Sequence, residues 1–215
     1  MSEVKKIFIS NENVKLEAEY IEFHNDKNCG ILLTHPHPEF GGNMYNNVVS
    51  GIFNALMANN ISCLRFNFIG VGRSMNISSK KQDPIKQVKF CSDYLMQRKI
   101  IQKVLICGYS YGAAIGCSVI NYNDDIIGYI AISFPWDFMG ENYKSLSQSD
   151  KPKLFIQGDR DDIAFYNNFK GHYSFYNDPK AFKIIEGADH FYRGYENKLA
   201  ELVVSFYNKL ILNKS

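Results

Sequence analysis

The sequence predicts a single α/β domain over residues 1–215. Its core is a mostly parallel, twisted sheet with helices on both faces, led by an antiparallel hairpin and lacking a lid domain. Three observations predict this. From Gly30 onward, short apolar runs alternate with longer stretches of helical periodicity. Those runs are apolar on both faces, as strands covered on both sides must be. Before Gly30 the pattern differs, with two strand-like segments around a polar turn. A chain of 215 residues can bury such a core without metals or disulfides.

Residues 4–9 read as a strand and Asn11-Glu12-Asn13 as a turn. A second strand follows at 14–23, where Val14, Leu16 and Ala18 alternate with polar residues. Further strands are read at 31–34, 61–68, 104–107, 126–134, 153–157 and 182–185. Helices fall between and after them at 46–58, 85–98, 112–120, 163–176 and 196–212. Only 18 residues separate Phe134 from Lys153, among them Pro135, Trp136, Gly140 and three serines. An inserted lid does not fit there, so any site on this sheet should be open.

Composition excludes several classes. Fifteen glycines and six prolines are ordinary, against collagen-like or low-complexity readings. Lys+Arg 24 against Asp+Glu 22 leaves +2, and no basic run exceeds two residues, so no nucleic-acid partner is expected. No stretch approaches the ~18 apolar residues of a membrane span. Lys5-Lys6 precede only Ile-Phe-Ile-Ser before the polar turn, too little for a signal-peptide core. Cys29, Cys63, Cys91, Cys107 and Cys117 are odd in number and form no Cys-x-x-Cys, which predicts free thiols in a reducing compartment. The expectation is a soluble, cytoplasmic protein.

The strand 104–107 runs into Gly108-Tyr109-Ser110-Tyr111-Gly112, and the small residues Ala113-Ala114-Ile115-Gly116 open a helix. Gly-x-Ser-x-Gly between strand and helix is the nucleophile-elbow pattern. The turn is sharp enough to strain the serine, and glycine on either side avoids collision with neighbouring backbone. The hydroxyl then stands at the sheet's carboxyl edge, above a helix N-terminus that favours negative charge.

A serine hydroxyl needs a base, and the base needs an orienting group. Of His24, His35, His37, His172 and His190, only His190 follows the last strand in a loop at a carboxyl end, where such sheets gather site residues. His24, on the hairpin, and His172, within a helical stretch, read as surface residues. Acid candidates follow the strand 153–157 in Gly158-Asp159-Arg160-Asp161-Asp162. Asp162 reads as a helix N-cap, and either of the other two can reach His190. Asp137 is a fallback acid on the preceding loop.

These residues carry a family resemblance. His35-Pro36-His37-Pro38 with Gly41-Gly42, Arg65-Phe66-Asn67-Phe68 through Gly70-Val71-Gly72-Arg73-Ser74, the serine elbow, and the Gly158–Asp162 and His190 loops together resemble the α/β-hydrolases. The likeness is to the small lid-less kind, similar to dienelactone-hydrolase-like and carboxylesterase-like proteins, and covers roughly Gly30 to the C-terminus. The chain order Ser110, Asp161, His190 matches that fold. The family's Gly-x-x-Asp pattern implies Asp161 rather than Asp159 as the acid. True dienelactone hydrolases carry cysteine where this chain has Ser110, which points away from dienelactone as substrate.

A tetrahedral intermediate also needs donors for its oxyanion. One is expected from the Tyr111 backbone N–H and the other from the loop after strand 31–34. Pro36 and Pro38 lack an N–H, leaving His37, Glu39 or Phe40, and the resemblance implies His37. His35 and His37 lack the further ligands that zinc requires, so no metal is expected. Gly70-Val71-Gly72 lacks the third glycine of a dinucleotide fingerprint and reads as a turn beside the elbow; no cofactor is expected. Among aromatics on carboxyl-end loops, Phe40 and Trp136 are the candidate pocket residues.

The resemblance implies a serine hydrolase acting on small or exposed carboxylic esters or thioesters. A serine peptidase would use the same residues with a different pocket. A non-catalytic scaffold of this fold is the alternative of another class.

Overall fold

The computed structural model describes residues 3–24, 28–78 and 82–212. The hairpin is β1 (Lys5–Ser10) and β2 (Val14–Ile21), paired antiparallel with Lys5 opposite Tyr20. β3 (Cys29–Thr34), α1 (Asn47–Ala58), β4 (Cys63–Phe66), the two-residue β5 (Met75–Asn76) and α2 (Pro84–Met96) follow. Then come β6 (Lys103–Tyr109), α3 (Tyr111–Cys117), β7 (Ile126–Ile132), α4 (Trp136–Met139) and α5 (Glu141–Leu146). β8 (Lys153–Gly158), α6 (Phe169–Ser174), β9 (Lys180–Ile185) and α7 (Glu196–Leu212) complete the chain.

The strand order is β1-β2-β4-β3-β6-β7-β8-β9, with β5 pairing β2. β2 meets β4 antiparallel, and every contact from β4 to β9 is parallel. Two apolar clusters cover the sheet. Val104 and Ile106 face one, with Val88 and Leu95 of α2 and Ala113 and Ala114 of α3. Leu105 and Cys107 face the other, with Ile52 and Phe53 of α1 and Leu199 and Val203 of α7. This is why the central strands read as apolar throughout. The helices start at side-chain caps: Asn46 accepts from the Val48 amide, and Asp83 from that of Ile85 behind Pro84.

Three expectations need correction. The helix read at 163–176 is a turn, a 3-10 segment at Tyr166–Asn168 and the short α6. Its cause is Asp161, not Asp162: Asp161 Oδ1 accepts the Ile163 and Ala164 amides at 3.0 and 2.8 Å and holds the chain in a turn. Asp162 caps nothing and is exposed. The strand read at 61–68 ends at Phe66: one further rung joins the Asn67 amide to the Glu17 carbonyl of β2 at 2.8 Å, and the Phe68 amide then leaves the ladder for the His35 ring. The Gly70–Ser74 turn is tied to β2: Glu17 accepts from the Arg73 backbone and side chain at 2.9 and 2.8 Å. What meets the elbow there is Phe68, 5.5 Å from the Tyr111 ring. The connection between β7 and β8 holds α4 and α5 and no lid, as its length implied.

All five cysteines are buried thiols outside any disulfide. No described helix is long and apolar enough to cross a membrane.

Candidate active site

Ser110 follows the last residue of β6 with φ 55° and ψ −124°, the left-handed region that costs a non-glycine residue about 1–3 kcal/mol. The glycines beside it are sterically required. A Cβ on Gly108 would lie 2.4 Å from the Gly112 carbonyl oxygen, and one on Gly112 would lie 2.4 Å from that of Thr34. The Ser110 amide donates to Ile132 O at 2.8 Å, fixing the turn to β7.

His190 arrives on the β9–α7 loop. Its Nε2 lies 2.9 Å from Ser110 Oγ, and its Nδ1 lies 3.0 Å from both carboxylate oxygens of Asp161. Three distant segments therefore meet in one buried line. A carboxylate only accepts, so Nδ1 carries the proton and Nε2 is left to accept from the serine hydroxyl. Burial alone would raise the Asp161 carboxyl. The bond and charge of His190, then the Ser133 hydroxyl and the Ala164 amide, outweigh it and hold the carboxyl below its usual range.

The other aspartates have different work. Asp159 Oδ1 accepts the Gly187 amide at 2.7 Å and so ties the β8 loop to the β9 loop. Asp137 accepts from Asn168 at 3.2 Å and lies 3.1 Å from His172 Nε2, turned to a different histidine. It is not placed as the fallback acid. His172 is not a free surface residue either, since it stacks on Trp136 at 5.1 Å. His24 is exposed, as expected.

Trp136 is a core residue rather than a pocket wall, which corrects its assignment. Its ring is 4 % exposed, stacks on Phe134 and His172, and donates through Nε1 to Tyr176 Oη at 2.8 Å. With its N–H satisfied and its surface covered, the indole has nothing left to offer an acyl group. Phe40, in contrast, is 88 % exposed, 5.1 Å from the His37 ring. Phe138 on α4, and Phe165 and Phe191 on loops, also stand exposed at the carboxyl edge. An open cleft of about 490 Å³ lies along the acid loop, lined by Arg160, Asp161, Phe165 and Asn168 among others.

The loop after β3 is held by its histidines. His35 Nδ1 donates to Pro36 O at 2.7 Å, and Nε2 accepts the Phe68 amide at 3.0 Å. His37 Nδ1 accepts the Glu39 amide at 3.2 Å. The loop closes where the Gly42 amide donates to His37 O at 3.0 Å, and a Cβ there would lie 2.1 Å from Pro36 O. The His37 and Tyr111 rings sit 4.6 Å apart, so the two candidate oxyanion-hole residues are neighbours. Among the described residues no three His, Cys, Asp or Glu side chains gather as a metal site would need.

Sequence reasoning missed the support beneath this loop. Arg65 is buried and donates to Glu19 Oε2 at 2.6 and 3.0 Å, to Ser50 Oγ, and to Met44 O at 3.2 Å. Asn67 Oδ1 accepts the Met44 amide at 2.9 Å. The resemblance singled out the stretch of Arg65 and Asn67 without giving either residue a role.

Burial, more than the nearby His37, pushes His35 down to about 4, against the opposing bond to Pro36 O. The folded protein thus refuses a proton that the unfolded chain accepts near pH 6.5. Stability is complete above that value and falls as the pH drops, by about 3 kcal/mol on reaching pH 4. Urea titrations of wild type and His35→Gln across this interval should show the steeper loss in wild type. Equal slopes would remove His35 from the account.

A family profile described as an alpha/beta hydrolase domain matches residues 29–201. An uncharacterised protein of Rickettsia prowazekii is 29% identical over 195 residues, 87% of this chain and 82% of that protein. The structure of an alpha-beta serine hydrolase homologue from Coxiella burnetii is similar with a TM-score of 0.78 at 27% identity, covering 98% of this chain and 97% of that one. A Xanthomonas campestris α/β serine hydrolase described as lacking a lid gives a TM-score of 0.73 at 20% identity, covering 94% and 95%. The chain belongs to the α/β-hydrolase family.

Proposed function

We propose that the protein is a serine hydrolase that cleaves carboxylic esters or thioesters through an acyl-enzyme. The carrying observation is the unbroken line from Ser110 Oγ through the His190 imidazole to the Asp161 carboxylate, at 2.9 and 3.0 Å. In this reading Ser110 Oγ attacks the acyl carbonyl while His190 Nε2 takes its proton, and Asp161 stabilises the resulting imidazolium. The Tyr111 and His37 amides receive the oxyanion. His190 returns the proton to the leaving alcohol or thiol, which frees the acyl-enzyme. Water then attacks the acyl carbon, giving its proton to His190, and Ser110 regains its own as the carboxylic acid departs.

No lid covers the site, so small or exposed acyl groups suit it better than long buried chains. Phe40 is the residue best placed to contact them on the oxyanion side. A peptidase would share these steps; nothing in the site favours it.

The test is labelling with a fluorophosphonate probe, followed by hydrolysis rates over an ester series of increasing acyl length. Ser110 should take the label, rates should favour short acyl groups, and a chelator should leave them unchanged. A folded wild type that neither labels nor turns over any ester would favour the scaffold reading.

A further inference from the structure

The acid of the site is held by two residues that the proposed mechanism does not use. Ser133 Oγ lies 2.6 Å from Asp161 Oδ2 and 2.7 Å from Tyr192 Oη. All three side chains are buried, Ser133 and Tyr192 completely. The direction of these bonds follows from valence. An ionised carboxylate cannot donate, so the single Ser133 proton goes to Asp161 and the Tyr192 hydroxyl must donate to Ser133. Burial raises the Tyr192 hydroxyl far above its ordinary value of 10, so it remains a donor at every working pH.

The backbone agrees that this arrangement is specified. Ser133 has φ 46° and Tyr192 φ 52°, and together with Ser110 they are three of the five non-glycine residues in this conformation among the described residues. Strain of this kind persists where the surroundings impose it. The Ser133 amide donates to Ile156 O at 2.8 Å, which fixes it to β8. Tyr192 is two residues beyond His190, on the same loop. The bonds therefore close a ring: β7 leads to Ser133, β8 leads to Asp161, and the β9–α7 loop supplies both His190 and Tyr192.

We propose that Ser133 and Tyr192 are positioning residues, a hydroxyl relay that aims Asp161 at His190 and sets the lower pH limit of catalysis. The proposal rests on the triad reading of Ser110, His190 and Asp161. The titratable groups that face the acid are His190 and Tyr192 on the β9–α7 loop and Tyr109 on β6, and Asp159, Arg160 and Asp162 of its own loop line the same cleft. Tyr109 donates to His190 O at 2.6 Å instead. Among the described residues no lysine or arginine pairs with Asp161; only His190 does. Its charge is otherwise balanced by the Ile163 and Ala164 amides and the Ser133 hydroxyl. Without that hydroxyl more negative charge faces the imidazolium, which holds its proton to higher pH, and the carboxylate loses one of its restraints.

Three variants test this. Ser133→Ala deletes the hydroxyl, Ser133→Gly deletes it while relaxing the positive φ, and Tyr192→Phe deletes only the outer donor. For both Ser133 variants the acid limb of kcat/KM should move up by between about half and one pH unit. Their kcat should fall about tenfold with KM nearly unchanged, as expected for a lost bond to a charged group. Tyr192→Phe should move the limb the same way by less, because the inner bond survives with weaker polarisation. Folded Ser133→Gly with the wild-type limb and kcat would overturn the relay and leave the triad standing. A wild type that hydrolyses no ester and takes no fluorophosphonate label would overturn both.

Discussion

Replacing Ser110 by alanine is expected to cut ester turnover by up to ~10⁶ while the protein stays folded. The chemistry has no substitute: among the described residues no other hydroxyl is bonded to His190 Nε2. The structural loss is small, because the Ser110 side chain makes that one hydrogen bond and the turn is built by its backbone and by Gly108 and Gly112. A change of no more than about 1–2 kcal/mol should appear in the melt. Steady-state rates on the best ester, with a thermal melt beside them, check both halves. Near-wild-type turnover in the variant would end the assignment.

Asp161→Asn should cost roughly 10⁴ in kcat, the loss found when a triad acid becomes an amide. An amide NH₂ facing Nδ1 favours the tautomer with its proton on Nε2, and that nitrogen can then no longer accept from Ser110. Asp159→Asn and Asp137→Asn should stay within about tenfold, since one accepts a loop amide and the other faces His172. Rates for the three variants decide among the acids. A crippled Asp137→Asn enzyme with a healthy Asp161→Asn enzyme would make Asp137 the acid and leave Asp161 a loop residue.

The elbow was legible in the sequence because its residue types encode geometry. Two glycines around a serine state a backbone contact and a positive φ, and the structure has both. The parallel order was equally legible, since strands buried on both faces admit no polar alternation. Side chains that act across the sheet were not. Arg65 and Glu19 stand 46 residues apart and pair only because β2 and β4 align them. Ser133 directly follows an apolar strand and looks like ordinary punctuation until β8 brings Asp161 beside it. Spacing could not divide Asp159 from Asp161; that required the resemblance, and the two carboxylates do lie on different partners. Trp136 misled because loop polarity says nothing of which way an indole turns. The helix read at 163–176 failed for a related reason: hydrophobic period takes no account of an aspartate capturing two amides.

His190 is carried by the margin of the sheet and Ser110 by its interior. β6 is paired on both sides, whereas β9 pairs with β8 alone and leaves Ala181, Phe182 and Lys183 exposed. Fraying begins at margins, where few buried contacts must be broken. An excursion of β9 and its loop would part His190 from Ser110 while β3, β6 and β7 kept their ladders. Such an excursion must also break the loop's bonds to Tyr109, Ser133 and Asp159, so these bonds, as much as the edge ladder, hold His190 against Ser110.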